Sequence, residues 1–293
     1  SMGDTKTPVK ISIITNILNI IGNYILIFGI GPFPEHGYKG AAISTLISSL
    51  IQGLALIIVI LKRSNAIKLS FLDLFKPDFC QIKKIIGVGY PMSIDGFYWQ
   101  GARMFYTMVF NFISSGAYAA YSIVKNFKGM AFLPASGLAQ GIMISVGHNL
   151  GKRKMKNAVL FAKLGIKIGL LIITIPALIL IIFSYNLINI YKVQPDTFFT
   201  AWICVLILGV SLYFTVLNSI IPGVLRAGGQ TKSVMLITLI SFIAVGAPLS
   251  LILGVFLKFG AIGAFVGITI EEIIKSFIFY RQLKKYLWLK KLN

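Results

Sequence analysis

Apolar residues run along this chain in eight long stretches, at about 10–30, 40–61, 85–112, 117–146, 158–190, 198–224, 234–256 and 260–280. A helix needs roughly 20 mostly apolar residues to cross a bilayer, and each stretch supplies them. None alternates strictly in the manner of a barrel strand, and all are too long for one. The third, fourth and fifth are long enough to tilt or to extend past the hydrocarbon. The pattern predicts an all-α, polytopic membrane helix bundle with eight transmembrane helices. The connections between stretches are short: Gly31–Lys39, then Ser114–Gly116, then Lys192–Thr197. Only Lys62–Lys84 is long, and its Leu and Phe residues among lysines predict an interfacial amphipathic helix and a boundary between two bundles. Pro91, Pro134, Pro176, Pro222 and Pro248 fall inside stretches, where each removes a backbone hydrogen bond and favours a bend.

Composition agrees with that picture. Hydrophobic residues make up 57% and charged residues 12% of 293, and the mean hydropathy is +0.86. Ordinary globular domains are nearer one-quarter charged, so a soluble enzyme, a disordered tail and a secreted disulfide scaffold are all excluded. The net charge of +20 raises the question of nucleic acid. Its distribution answers it. Taking alternate connections as opposite sides, 21 Lys and Arg fall on one side and three on the other, with Arg103, Lys125, Lys128 and Lys275 inside stretches. That asymmetry reports loops facing the cytoplasm. It predicts a cell-membrane protein with both ends of the chain cytoplasmic, lipid as a partner, and no nucleic acid. Cys80 and Cys204 form no disulfide framework, and His36 and His148 lie too far apart to suggest a metal site. The chain carries no GxxxxGK[ST] phosphate loop, no HExxH and no GxSxG. No enzyme and no cofactor are expected.

Gly3-Asp4-Thr5-Lys6-Thr7 recurs as Gly229-Gln230-Thr231-Lys232-Ser233. Each copy precedes an apolar stretch, a short loop, a Gly-Ala pair (Gly40-Ala41, Gly263-Ala264) and a second stretch. Both copies fall on the basic side, so the repeat is parallel and relates two halves by an axis along the membrane normal. In the second copy 145 residues and four stretches separate Lys84 from Gly229; in the first, two residues precede Gly3. Equal halves would place about 140 further residues in front. The expectation is therefore spans 5 to 12 of a twelve-span protein, whose missing N-terminal helices are a partner for this chain.

The residues around these features resemble one family. Gly3–Pro8 and Leu225–Lys232 resemble the two "LRGxGDTKTP" loops of the multidrug and toxic compound extrusion (MATE) transporters. Asn16–Tyr24 with Ile27–Gly29 resembles that family's fifth span, and Gly40–Thr45 its sixth. Gly89-Tyr90-Pro91 resembles the start of the seventh. Ala119–Tyr121, Leu133–Gly141 and Gly147–Gly151 resemble the eighth span and the loop after it. The resemblance implies a MATE-like bundle with an incomplete first lobe and a complete second lobe. In it, 1–62 supplies the last two helices of the first lobe, 63–84 a cytoplasmic linker, 85–285 the second six-helix lobe and 286–293 a tail. It implies an antiporter that expels small organic molecules, often cationic, in exchange for Na⁺ or H⁺ by rocking the lobes. Two other readings stay open: a flippase for a lipid-linked or polysaccharide substrate, and a non-transporting remnant.

Ionisable residues inside a span are costly and are functional candidates by default. Asp95 stands one helical turn after Pro91. It is either a coupling acid for H⁺ or Na⁺ or one half of an ion pair with Arg103, Lys125 or Lys128. The family often carries an acid deeper in this span, where this chain has Trp99 and Gln100. With Tyr98, these are candidates for stacking on a substrate or for plain packing. Arg103, Lys125 and Lys128 are cavity candidates, because they would hold a phosphate, repel a cation, or neutralise Asp95. The resemblance also maps a first-lobe cation site onto Asn19, Asn23 and Thr45, with Asn23 in place of the usual acid. Asn19 and Asn23 are four apart and share a face, and oxygen donors there suit a hard ion or interhelical hydrogen bonds. In the last stretch, Glu271 and Lys275 stand four apart and Glu272 and Lys275 three apart, which predicts one neutralising pair with one acid left over. The family often carries an acid near Glu272, which makes it a further coupling candidate.

Overall fold

The computed structural model describes residues 6–30, 34–63 and 79–289, and among these the chain is helical with no strand. The chain divides into two compact units, Ser1–Phe79 and Cys80–Asn293. The amphipathic helix expected within 63–84 lies largely outside the described residues, as do Gly3–Thr5 of the first repeat copy and the last four residues of the tail.

In the first unit α1 (Lys6–Phe28) packs on α2 (Tyr38–Arg63). Gly29, at φ +66°, ends α1. The backbone N–H of Ile30 then reaches the Ile25 carbonyl at 3.1 Å, and that of His36 the Leu26 carbonyl at 3.0 Å. Only glycine adopts that left-handed turn at little cost. The inner surface of the pair is polar and small: Thr15, Ser44 and Ser48 are buried. Outward stand Ile13, Ile17, Ile20, Leu46, Leu50 and Leu54. A helix pair that buries polar residues and exposes apolar ones is inverted relative to a water-soluble one. It suits lipid, where interhelical contact rests on close packing and hydrogen bonds.

The second unit comprises α3 (Phe79–Ile113), α4 (Ser115–Gly151), α5 (Met155–Ile182), α6 (Ser184–Asn189), α7 (Pro195–Ala227), α8 (Thr231–Ser241), α9 (Ala247–Leu251) and α10 (Gly260–Lys284). Its centre is α7, packed on α4, α5 and α10. Val205, Leu208, Leu212, Val216, Ile220 and Ile221 of α7 are fully enclosed. Facing them, α4 presents Ala131, Ala135 and Ala139, one per turn. α5 presents Gly165 and Gly169, where a Cβ would overlap Ile142 and Ile220 respectively. Small residues every four positions let these backbones approach closely. The second repeat copy forms the turn between α7 and α8. There Gly229 takes φ +76°, and the Gln230 N–H bonds the Leu225 carbonyl at 2.9 Å.

Two stretches depart from the expected single helices. The one at 158–190 breaks at Phe183 into α5 and α6, where Ser184 accepts a 2.9 Å hydrogen bond from Trp202 Nε1 of α7 and so redirects the chain along that helix. The one at 234–256 contains two wide π turns, Phe242–Gly246 and Ile252–Phe256, on either side of α9. Pro248 explains the first, since its ring would meet the carbonyl four residues earlier in a regular helix. Among the described residues, six helices are long and apolar enough to cross a membrane: those at Thr7–Phe28, Tyr38–Val59, Ser115–Gly151, Met155–Ile182, Pro195–Ala227 and Thr231–Phe256. The remaining two long helices, α3 and α10, carry charge internally. α3 holds Asp95 and Arg103; α10 holds Glu271, Glu272 and Lys275.

Candidate functional site

Those internal charges converge. A cavity of about 580 Å³ opens in the second unit between α3, α4, α7 and α10. Each helix lines it with one periodic stripe. α3 gives Tyr98, Trp99, Ala102, Arg103 and Tyr106; α4 gives Tyr121, Lys125, Lys128, Phe132 and, further along, Gln140 and Met143. α7 gives Thr215, Asn218, Ser219 and Arg226; α10 gives Phe265, Ile268, Glu271, Glu272 and Lys275. Spacings of three and four keep each set on one helical face. Polar groups inside an apolar bundle persist only where they meet one another.

Glu271 is 3% exposed and Lys275 4%. Lys275 Nζ donates to Glu271 Oε1 at 2.8 Å, and the Tyr106 hydroxyl donates to Oε2 at 2.7 Å. Lys275 also lies 5.4 Å from the centre of the Trp99 ring. Gly246, in the first π turn, is what admits this group: a Cβ there would collide with Tyr106 Oη and Glu271 Oε2. Phe242 opens that same turn and packs edge-on against Tyr98, Phe105 and Tyr106.

Glu272 serves the other side of α10. Lys128 Nζ of α4 donates to its Oε1 at 2.5 Å, and Thr215 Oγ1 of α7 to its Oε2 at 2.7 Å. Asn218 Nδ2 donates to the Glu272 carbonyl at 2.9 Å. Its own side-chain oxygen is buried without a hydrogen-bond partner.

Asp95 is buried, and its partner is none of the three cations weighed from the sequence. Arg226 Nη2, from the end of α7, bonds Asp95 Oδ2 at 2.5 Å, while Oδ1 is buried without a hydrogen bond. Sequence separation hid this pair: they stand 131 positions apart, and Arg226 reads as a loop cation beside Ala227-Gly228-Gly229. Lys128 goes to Glu272 instead, and Arg103 and Lys125 carry no ion pair among the described residues. Asp95 itself does not line the cavity; Arg226 does. Gln100 is exposed and does not line it either. One residue after Trp99, it is turned about 100° around the helix axis. Tyr106, Thr215, Asn218 and Phe242 were not singled out from the sequence. Ser211, Thr215 and Asn218, at steps of four and three inside an apolar stretch, were the readable sign.

In the first unit, Asn19 Nδ2 donates to Thr45 Oγ1 at 3.3 Å and Asn23 Nδ2 to Asn19 Oδ1 at 3.2 Å. Asn23 Oδ1 is buried without a partner. The three candidates therefore form one chain of oxygens and amides, with no carboxylate among the described residues of α1 and α2. No group of three or more His, Cys, Asp or Glu able to hold a metal ion occurs among the described residues.

The MatE family model matches residues 91–252. A "Probable multidrug resistance protein NorM" of Thermotoga maritima is 30% identical over 274 residues, which cover 94% of this chain and 59% of that protein. The "Uncharacterized transporter YisQ" of Bacillus subtilis is 27% identical over 291 residues, 99% of this chain and 64% of that protein. Among solved structures, the Vibrio cholerae MATE transporter VcmN in the bent form superposes with a TM-score of 0.83 at 21% identity, over 97% of this chain and 63% of that one. The chain thus spans about three-fifths of the length of the curated relatives it matches.

Proposed function

The chain belongs to the MatE family of multi-pass membrane proteins, and from that membership we propose that it acts in a secondary-active antiporter that exports organic compounds. Eight helices cross the cell membrane in this reading: α1, α2, α3, α4, α5, α7, the α8–α9 helix and α10. The last six form one lobe, and both ends of the chain face the cytoplasm. Export follows rocker-switch alternating access and is driven by Na⁺ or H⁺.

The observation that carries this reading is the cavity, a charged pocket of about 580 Å³ enclosed by helices that are otherwise apolar. Its size falls within the range of roughly 300–1,000 Å³ that holds drug-sized ligands. Glu272 supports coupling in the second unit. Its carboxylate meets Lys128 and Thr215 from two different helices, so a proton or Na⁺ taken up there would compete with Lys128. Asp95 is the second acid for that role, with one oxygen free of hydrogen bonds. In the first unit the unpartnered Asn23 Oδ1, beside Asn19 and Thr45, supports a hard cation.

The test is efflux of ethidium from cells of an efflux-deficient host that express the protein, with and without a collapsed ion gradient. Gradient-dependent export is expected. Glu272→Gln and Asp95→Asn are made separately, and loss of export with normal membrane insertion identifies the coupling acid. Gradient-independent behaviour, or full export in both variants, overturns the respective claim. A second reading, a flippase for a phosphate-bearing lipid or polysaccharide, draws support from one observation: Arg103 and Lys125 face the cavity without acids among the described residues.

A further inference from the structure

We propose that the second-unit cavity contains an anion subsite, formed by Arg103 of α3 and Lys125 of α4, that takes the carboxylate or phosphate of an amphipathic organic molecule. This deepens the transport reading above and rests on it for the role of the cavity.

The argument is a balance of charges. Five cations line the cavity: Arg103, Lys125, Lys128, Arg226 and Lys275. Three acids answer them, and each is already engaged: Glu272 with Lys128, Asp95 with Arg226, Glu271 with Lys275. Among the described residues Arg103 and Lys125 are left without an acid partner, both exposed within the unit. No further acid within the described helices can reach them. The sequence holds five others. Asp4, Asp73 and Asp78 lie outside the described residues, and Glu35 sits in the turn between α1 and α2. Asp196 starts α7, where Thr197 lies beside Gly116 of α4, about 14 Å of helix rise before Lys125. Cations facing a cavity of a membrane bundle are costly unless something answers them. Their chemistry fits an oxyanion. A guanidinium presents a planar fork to a carboxylate or phosphate, and an ammonium adds a point charge. Tyr98 of α3 and Tyr121 and Phe132 of α4 line the same cavity and offer apolar surface for the body of the molecule.

Binding is measured by titrating the purified protein, in nanodiscs of phosphatidylcholine at about pH 7.5, with 1-naphthyl phosphate, 1-naphthoate and 1-naphthylmethylammonium. The anions are expected to bind at least about tenfold more tightly than the amine. Arg103→Gln and Lys125→Gln should each weaken anion binding about tenfold with unchanged helical circular dichroism, and Lys125→Arg should retain it. Lysophosphatidate presented in the nanodisc identifies the source. Binding of it but of neither soluble anion assigns the subsite to a lipid headgroup, and binding of the soluble anions assigns it to a free solute. Equal or tighter binding of the amine overturns the proposal, as does wild-type anion affinity in both glutamine variants. Anion binding without gradient-driven export would sink the antiport reading and leave the subsite standing. Ethidium export with no anion preference would do the reverse.

Discussion

Lys275→Met is the sharpest probe of how this bundle tolerates charge. Glu271 and Lys275 are both nearly inaccessible, at 3% and 4% exposure. Removing the ammonium strands a carboxylate whose only other hydrogen-bond partner among the described residues is the Tyr106 hydroxyl at 2.7 Å. Breaking a buried pair from one side costs about 3–5 kcal/mol. A hydrogen bond to a charged group is worth about 1.5–3 kcal/mol, so Tyr106 offsets only part of that. Loss of the contact between Lys275 and the Trp99 ring adds about 0.5–1 kcal/mol. The single variant should therefore lose about 3 kcal/mol. Glu271→Gln with Lys275→Met restores neutrality and keeps an acceptor for Tyr106, so the double variant should recover about 2 kcal/mol of it. The assay is unfolding by sodium dodecyl sulfate in mixed micelles, followed by far-ultraviolet circular dichroism, with all four corners of the cycle measured. A single variant within about 0.5 kcal/mol of the parent, or a double variant as unstable as the sum of the singles, refutes the reasoning.

Two further outcomes follow from packing. Gly169→Leu would drive a side chain into Ile220 and Val216 and should destabilise by about 1–3 kcal/mol in the same unfolding assay, whereas Gly129→Ala, with open space around its Cα, should not. Cys204 is 2% exposed, so in a Cys80→Ser background N-ethylmaleimide should label the folded protein negligibly and label it fully after unfolding, as read by mass spectrometry.

What the sequence discloses about this fold depends on the range of the interaction. The helices follow from local hydropathy, and a pair between Lys275 and one of its two neighbouring acids follows from spacings of four and three on one helix. The partners of Asp95 and Glu272 do not. Arg226 and Lys128 lie 131 and 144 residues away, and no periodicity links α3 to α7 or α4 to α10. Gln100 shows the limit from the other side. The stripe containing Tyr98 and Trp99 was readable, yet its edge, one residue on, was not. The π turns beside Pro248 were equally hidden, because a proline marks where a regular helix fails and not which irregular one replaces it. Phe242 and Gly246, which shape the wall behind Tyr106, came with that irregularity.

The position of two acids side by side on α10 has a mechanical consequence. Neighbouring residues point about 100° apart around a helix, so Glu271 and Glu272 address different walls. Glu271 meets Tyr106 of α3 and lies against Gly246 of the first π turn, while its charge is balanced within α10 by Lys275. Glu272 is balanced entirely from outside its helix, by Lys128 of α4 and Thr215 of α7. Neutralising Glu271 therefore leaves an unpaired lysine on the same helix and disturbs one interhelical hydrogen bond. Neutralising Glu272 loosens two helices at once and frees a third cavity cation, beside Arg103 and Lys125. Glu272 links its charge state to two neighbouring helices, α4 and α7, and to the charge the cavity presents to a ligand, whereas Glu271 links its own to α3 and to a lysine of its own helix. That double linkage suits a coupling acid for a cationic substrate: a proton or Na⁺ at Glu272 would free Lys128 to repel an organic cation, and the same change would strengthen the field that holds an oxyanion at the proposed subsite.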